Sequence, residues 1–307
     1  MKNKTIALDK GESALFEKQT TYVQTRVYEI KHKALRALSI FSVNTEIPSG
    51  SETVEWRYFD EVGSAKIIAD YAKDFPNVDI LAKKATATIR GIGNVYSYSI
   101  PEIRRAQRAG IQLDTKRGAS ARKFHDVAHD TICWVGDSKF GLQGFIGYPG
   151  NTEVVLQNGA GGFKTWATKT PDEMIKDVRA MISAGRVLTG GREVYNTIAM
   201  PQEQYDTLEG TRLTSESETS VLTYLQNTYK DITVWIGVLE LKGVGAGATN
   251  RMYCFNRDAE AMEYGIPQAF EQMEPDKVGM SYTTVCHSES AGMMEYNPVA
   301  VLYADGI

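Results

Sequence analysis

The chain has 307 residues, 42% of them hydrophobic and 23% charged, with a formal net charge of −4, and its length suits about two domains of roughly 150 residues. No stretch reaches the ~18 apolar residues of a membrane span, and the negative charge argues against gripping nucleic acid through a broad basic surface. Its three cysteines are widely spaced and lack a CxxC pair, so no disulfide framework or cysteine-rich zinc module is indicated and a reducing compartment fits best.

The N-terminal segment is predicted to be an irregular or helical arm. It begins with lysines but has neither the apolar run nor the cleavage site of a signal peptide, so export is not expected. Apolar residues are scattered over 14–43, and the Ile47–Gly50 breaker ends the segment.

Alternation of apolar and polar residues predicts an extended β element after this arm. Val54, Trp56 and Tyr58 alternate with charged residues over 53–59, and a similar alternation returns over 85–100. Because successive side chains of a strand point to opposite faces, this period of two predicts strands with two different faces.

Two helices are expected next, from Pro101 to about Arg108 and from Asp114 to about Val135. Ser99 and Asp114 can cap their N-termini, and Gly136 is expected to end the longer helix. Glycine is frequent over 139–163, which predicts loops.

The strongest helix signal follows at Thr170–Glu173. This stretch has the form of a capping box with proline in the first helical position, and Gly185 is expected to end the helix. An α/β unit is predicted beyond it from segments that are strand-like at 194–200, helix-like at 217–229 and strand-like at 232–241 and 252–255. Strand-like stretches at 280–286 and 298–303 complete the chain.

His125 and His129, on the longer predicted helix, are the first candidates for chemistry. They lie one turn apart, with Cys133 another turn along, an arrangement that commonly presents a metal. The helical zinc-protease motif is incomplete because Asp126 replaces its glutamate and no third ligand is marked. The apolar stripe expected to bury this helix consists of Ala121, Phe124, Ala128, Ile132 and Val135. The histidines lie at its margin, which favours a structural role over metal binding.

Glycine-rich loops and a Cys-His pair are weaker candidates. Gly243–Ala248 matches a dinucleotide loop superficially, but a strand pattern follows where a pyrophosphate needs a helix N-terminus, so a hairpin tip is expected. The loop at 158–163 has no phosphate-binding lysine in a P-loop frame. Cys286 and His287 are neighbours in a strand pattern and should face opposite sides, which disfavours a cysteine hydrolase. We therefore expect no catalytic residue, metal or cofactor.

The β element and the helices after it carry opposite charges. The acidic residues of the β element are Glu52, Glu55, Asp60 and Glu61, and the basic residues after it include Arg104, Arg105, Arg117 and Arg122. Both groups can be ordinary solvated faces. The alternative is that the acidic element of one chain lies on the basic helix of another, with Trp56 adding apolar contact, and these nine residues are the candidate intersubunit contacts.

Three stretches, taken in this order, are characteristic: VEWRYFDEVGSAKIIADYAKDFPNVD (54–79), YSYSIPEIRRAQRAGIQLDTKRGASARK (96–123) and NPVAVLYADGI (297–307). With the loose arm, the β excursion, the long helix and the α/β unit, they resemble the major capsid proteins of tailed bacteriophages, the Hong Kong ninety-seven type fold. The resemblance covers nearly the whole chain.

The resemblance implies an α+β fold of five parts. They are an N-terminal arm (1–50), an extended β-hairpin loop (51–97), a peripheral domain with its spine helix at 114–135 (98–150), an α/β axial domain (151–277) and C-terminal return strands of the peripheral domain (278–307).

The resemblance also implies a structural subunit rather than an enzyme. Such a subunit assembles in the host bacterial cytoplasm, as hexamers and pentamers, into an icosahedral virion shell around double-stranded DNA that it does not recognise by sequence. The implied partners are a separate scaffolding protein, a portal and, in some relatives, a decoration protein, with no membrane. An encapsulin-type bacterial compartment shares the fold and stays open, as does a metal-dependent hydrolase using His125 and His129.

Overall fold

The computed structural model describes residues 34–62, 77–109, 113–214 and 216–307. The helices in these ranges are α1 (Ala37–Ile40), α2 (Ile100–Ala109), α3 (Leu113–Val135), α4 (Pro171–Thr189), α5 (Gln202–Gly210) and α6 (Val221–Thr228). The longer strands are β2 (Thr53–Val62), β3 (Asp79–Thr88), β4 (Arg90–Ser99), β8 (Thr197–Pro201), β9 (Val234–Val238), β10 (Arg251–Phe255), β14 (Ser281–Ser290) and β16 (Val301–Asp305). The shorter strands are β1 (Val43–Asn44), β5 (Gly136–Asp137), β6 (Leu142–Gln143), β7 (Thr152–Glu153), β11 (Met262–Gly265), β12 (Glu271–Gln272), β13 (Asp276–Val278) and β15 (Gly292–Glu295).

The alternating segments form two long antiparallel pairs. β2 pairs with β3 from Thr53 opposite Thr88 to Val62 opposite Asp79, and we call this pair the β2–β3 ribbon. β4 pairs instead with the distant β14, which β12 and β13 flank on its other side. The strands predicted from alternation are therefore confirmed, and β4 ties the ribbon to the C-terminal part of the chain.

Helices α2 and α3 follow β4 as expected. The Glu102 amide donates to Ser99 Oγ at 3.3 Å, which confirms the predicted cap of α2. The predicted Asp114 cap is wrong, since α3 begins at Leu113, two residues before the expected start, and Asp114 lies inside it. Gly136 has φ of +73°, a left-handed conformation that suits glycine and ends α3 where the sequence predicts.

A five-stranded sheet in the order β7-β16-β10-β8-β9 is the centre of the larger core. Met252 and Cys254 of β10 lie in the core cluster that includes apolar residues of α4 and α6. Tyr253 and Phe255 lie in the cluster that includes the C-terminal end of α3. Because both faces are covered, the central strands are apolar on both sides, and the sheet joins the α/β unit to the long helix.

Helix α4 starts as predicted and ends later than predicted. The Thr170 capping box is present, but the helix runs past Gly185 to Thr189 and ends at Gly190, whose φ is +61°. Gly185 has a packing role instead: a Cβ there would lie 2.4 Å from Tyr195 Cε2 and 2.7 Å from Leu302 Cδ1. The missing side chain allows α4 to approach β16 closely.

The glycine run Gly243–Ala248 is not a hairpin tip. β8 lies between β9 and β10, so the run belongs to a connection between strands that do not pair. The Ala246 amide donates to Asp305 Oδ2 at 2.9 Å, and the Asp305 carboxylate also accepts two hydrogen bonds from Arg251. The loop is thus fixed to the last strand, and β10 rather than a helix follows it.

The last three strands of the chain belong to three different sheets. β14 pairs with β4, β15 pairs with β11, and β16 pairs with β10 and β7 in the five-stranded sheet. The segment 278–307 therefore links three sheets. Within the described residues, every helix is too short or too polar to span a lipid bilayer.

Candidate subunit-interface surfaces

The β2–β3 ribbon exposes apolar surface far from its base. Val62, Val78 and Ile80, at or beside the far end of the ribbon, are all exposed. A two-stranded ribbon is only marginally stable by itself, and exposed apolar side chains commonly mark a contact surface. The far end of the ribbon is therefore a candidate contact with another chain.

At its base the ribbon is anchored within its own chain. Trp56 is half-buried, and its ring stands perpendicular to that of Tyr296 with centroids 5.6 Å apart. The pair packs against a small core of Ala87, Met294 and neighbouring residues. Trp56, predicted as an intersubunit contact, thus holds the ribbon in place, and a role at an interface stays a prediction.

The acidic candidates differ in their surroundings. Glu52 is exposed at the start of the ribbon. Glu55 forms an ion pair with Lys84 of the adjacent strand, and this hydrogen bond holds the pKa of Glu55 below its usual value. For Asp60 and Glu61 only the backbone pairing with β3 is described, and their side chains lie outside the described part of the chain. The charge of Glu55 is therefore partly compensated inside its own chain.

The basic candidates also divide into two groups. Arg104 and Arg105 are exposed on α2, and Arg122 is exposed on α3. Arg117 instead donates to the Glu102 carboxylate within the same chain, and its guanidinium lies over the Tyr98 ring at 6.0 Å from the centroid. The exposed set is more suitable for contacts between chains than Arg117.

The histidines are buried on α3 in a polar network, not at the margin of the apolar stripe. His125 Nδ1 lies 2.7 Å from Ser288 Oγ, and His129 Nε2 lies 3.1 Å from the same oxygen. His129 Nδ1 lies 3.0 Å from Tyr264 OH, which lies 2.8 Å from Ser290 Oγ. The network joins the long helix to β14 and β11.

Burial favours neutral imidazoles in this network. It lowers the pKa of His125, and it lowers the pKa of His129 to about 4. In the described part of the chain, no three His, Cys, Asp or Glu side chains are grouped so that they could hold a metal ion. The hydrogen bonds of the network form a seam between α3 and strands β14 and β11.

The predicted apolar stripe of α3 is wrong in two of its five positions. Ala121 is buried as expected, but Phe124 is 64% exposed and Val135 is 60% exposed. The buried face includes the two histidines and Cys133, because serine and tyrosine side chains from distant strands hydrogen-bond to three of the four imidazole nitrogens. Part of the stripe expected in the core therefore lies on the surface.

Glu295 is a buried carboxyl group at the edge of the small core below the ribbon. It is 2% exposed, and neither carboxyl oxygen has a hydrogen bond of normal geometry among the described residues. Burial raises its pKa well above the usual value, and the nearby Asn151 amide opposes this only weakly. Burial therefore favours the protonated form of this carboxyl group in the folded chain.

We expect Glu295→Gln to raise the free energy of unfolding at pH 7 and to reduce the fall of that free energy with rising pH. Since the unfolded carboxyl releases its proton near pH 4.5, wild-type stability falls as pH rises from there toward the folded pKa, and glutamine removes this loss. Urea unfolding at pH 5 and pH 8 measures it, with exposed Glu274→Gln as the control. Equal pH dependence of wild type and Glu295→Gln would contradict it.

The fold is similar to solved shell proteins. The capsid of Myoviridae phage XM1 matches with a TM-score of 0.79 at 16% identity, over 94% of this chain and 98% of that chain. The capsid of a native GTA particle matches with 0.69 at 11% identity, over 97% and 99%. A virus-like particle from Pyrococcus furiosus matches with 0.56 at 12% identity, over 87% and 91%. No curated protein is significantly similar in sequence.

Sequence comparison assigns the chain to a protein family, which similarity of fold alone does not. A family model described as major capsid protein matches residues 63–307, which include α2, α3, the β4–β14 pair and the whole five-stranded sheet. The match thus spans most of the chain rather than one motif, and the α+β capsid fold expected from the sequence is confirmed. This chain belongs to the major capsid protein family.

Proposed function

We propose that the chain forms the icosahedral shell of a tailed-phage virion, assembling in the host cytoplasm as hexamers and pentamers around double-stranded DNA. The β2–β3 ribbon is the observation that supports this most directly. Ten residues on each strand pair only with each other among the described strands, and apolar residues at the far end are exposed. Such an element gains most of its stability when neighbouring subunits cover it.

The proposed role extends to the parts and partners of the shell. The segments 1–50, 51–97, 98–150, 151–277 and 278–307 are proposed to act as arm, extended loop, peripheral domain, axial domain and C-terminal return. A separate scaffolding protein, a portal and a decoration protein are the proposed partners. The match to the major capsid protein family model over residues 63–307 supports a phage capsid over a cargo-filled bacterial compartment.

The contents of purified particles separate these two functions. We expect particles from the native source to contain double-stranded DNA together with portal and tail proteins, measured by nuclease protection and mass spectrometry. An enzyme as the main internal protein, without protected DNA, would support the bacterial compartment instead. A stable monomer under all assembly conditions, including the presence of its scaffold, would contradict both.

Contacts between subunits are proposed to include the acidic start of the ribbon and the basic face of α2. Glu52, Arg104 and Arg105 are exposed, whereas Glu55 and Arg117 have ion-pair partners in their own chain. Each exposed pair contributes only about 0.2–1 kcal/mol, and the ~10 Å Debye length at 0.1 M salt falls to ~3 Å at 1 M. Because a shell repeats each contact many times, assembly should respond to charge much more than the fold does.

We expect Glu52→Lys to raise the protein concentration needed for assembly several-fold at low salt without changing the circular dichroism. The reversed charge would face like charges across the interface, so adding Arg104→Glu and Arg105→Glu should partly restore assembly. Light scattering and negative-stain microscopy over a salt series measure the threshold. Wild-type assembly by Glu52→Lys at low salt would show that these charges are a solvated face, leaving the exposed apolar residues of the ribbon to form the contact.

A further inference from the structure

Helix α3 has an outer face that the rest of the described chain leaves uncovered. Phe124 is 64%, Val127 38% and Val135 60% exposed, and Thr131 between them is also exposed. At 3.6 residues per turn these four positions fall within about 80° of one another and extend about 16 Å along the helix. They are on the side of α3 away from the buried histidines.

The same face is basic nearer to the N-terminus of α3. Lys116 is exposed about two turns before Phe124, and Lys123 is exposed directly before it. We call the six residues of this face the outer stripe. The neighbouring acidic side chains of the helix are Asp126, which is half-buried, and Asp130, which is buried. The outer stripe is therefore basic in its first half and apolar in its second half.

We propose that the outer stripe binds an amphipathic α-helix of a separate, acidic protein that assembles together with the shell. Apolar side chains spaced three and four residues apart on that helix would pack on Phe124, Val127 and Val135, and an acidic end would meet Lys116 and Lys123. The positive end of the α3 dipole adds to the attraction at the lysine half. This inference rests on the proposed shell-forming function and assigns a docking surface to one of its partners.

Charge and apolar surface together exclude the simpler occupants. A second copy of α3 packed parallel would place lysines against lysines, and packed antiparallel it would place lysines against Phe124 and Val135. The phosphates of a nucleic acid would pair with Lys116 and Lys123, but they would also lie against the apolar half of the stripe, which is unfavourable. Only a partner that is acidic at one end and apolar along one face matches both halves of the stripe.

A synthetic helical peptide tests this on the unassembled full-length protein. The probe is a fluorescent helix of about five turns with leucines at a three- and four-residue spacing and glutamates in one terminal turn. By anisotropy, Phe124→Ser with Val127→Ser should bind it about tenfold or more weakly than wild type, and Lys116→Glu with Lys123→Glu should also weaken it. Val187→Ser with Leu188→Ser, which removes exposed apolar side chains from α4, should have no effect.

Other outcomes overturn the proposal. No binding by wild type, equal binding by the Phe124 and Val127 variant, or equal binding of a peptide with lysines in place of glutamates would each do so. Binding of a DNA duplex that depends on the lysines alone would assign the stripe to nucleic acid. Self-association lost in the apolar variant, seen by sedimentation, would assign it to a second copy. Shell formation is scored separately by microscopy, so failure of assembly and failure of docking are distinguishable.

Discussion

Replacement of Asp177 by alanine is expected to lower the free energy of unfolding by about 3–5 kcal/mol. Asp177 Oδ2 lies 2.6 Å from Lys169 Nζ, and the two side chains are 6% and 1% exposed. The same oxygen accepts a hydrogen bond from Trp166 Nε1 at 2.9 Å, and Lys169 Nζ also donates to the Gln157 carbonyl at 2.7 Å. Without the carboxylate, the buried ammonium group loses its ion-pair partner and keeps only a weaker electrostatic attraction to Glu173. A buried charge without its direct partner is costly.

A double variant with two apolar residues in place of the ion pair separates two contributions to the free energy of unfolding: the cost of leaving Lys169 without its partner and the net contribution of the ion pair. Asp177→Leu with Lys169→Met removes both charges at similar volume, and such replacements are often neutral or stabilising. Asp177→Asn keeps the size and can still accept from Trp166, so we expect an intermediate loss. Urea unfolding of the unassembled protein measures all three. A loss below about 1 kcal/mol for Asp177→Ala would mean that the pair contributes no more than an exposed one.

Local sequence signals predicted the features of the fold that depend on neighbouring residues. The Thr170 capping box, the Ser99 cap, the Gly136 stop and the alternation in β2 all involve groups within a few residues of each other. Their geometry follows from backbone hydrogen bonding and side-chain period alone. These elements could therefore be placed without knowledge of the rest of the chain.

The features that the sequence did not reveal depend on distant partners. His125 and His129 have polar side chains, which a sequence pattern places at the surface. Their burial is favourable because Ser288 and Tyr264, more than a hundred residues away, hydrogen-bond to them. With the histidines inside, helical geometry forces Phe124 to the surface. Gly185 has the signature of a helix end, but its role is set by the approach of Leu302.

The sequence predicted which charged residues could form the candidate interface. It did not predict which of them already have an ion-pair partner in their own chain. The composition shows Glu55 and Arg117 as charged residues of opposite sign. The register of β2 and β3 brings Lys84 beside Glu55, and the packing of α3 on β4 brings Arg117 to Glu102. Such pairings reduce what each residue can offer to a second chain, and a sequence pattern alone does not indicate them.

Lowering the pH from 7 to 4 is expected to remove about 3 kcal/mol of stability through His129. Burial lowers its folded pKa to about 4, whereas the unfolded imidazole titrates near the usual histidine pKa of about 6.5. The unfolded state therefore binds a proton first as pH falls, and stability present above pH 6.5 is lost down to about pH 4. One unit of pKa corresponds to about 1.4 kcal/mol, which gives this magnitude.

The groups around His129 support this direction. The neighbouring imidazole of His125 disfavours a second positive charge, and Tyr264 and Ser288 are neutral hydrogen-bond partners. Asp130, the next residue of the helix, already accepts at Oδ1 from the Arg36 and Ala37 amides at 3.0 and 2.9 Å. The described residues that hydrogen-bond to the His129 ring therefore carry no negative charge that would stabilise the protonated imidazole.

His129→Gln isolates this contribution because glutamine can keep a hydrogen bond to Ser288 or Tyr264 but does not titrate. Chemical unfolding of both proteins at pH 7, 5.5 and 4 should show a wild-type loss that exceeds that of the variant by about 3 kcal/mol. Carboxyl groups titrate equally in both, so the difference between the curves reports the histidine. Parallel curves would mean that a protonated His129 is tolerated in the folded chain, and the acid sensitivity of the seam between α3 and β14 would then have to come from His125 alone.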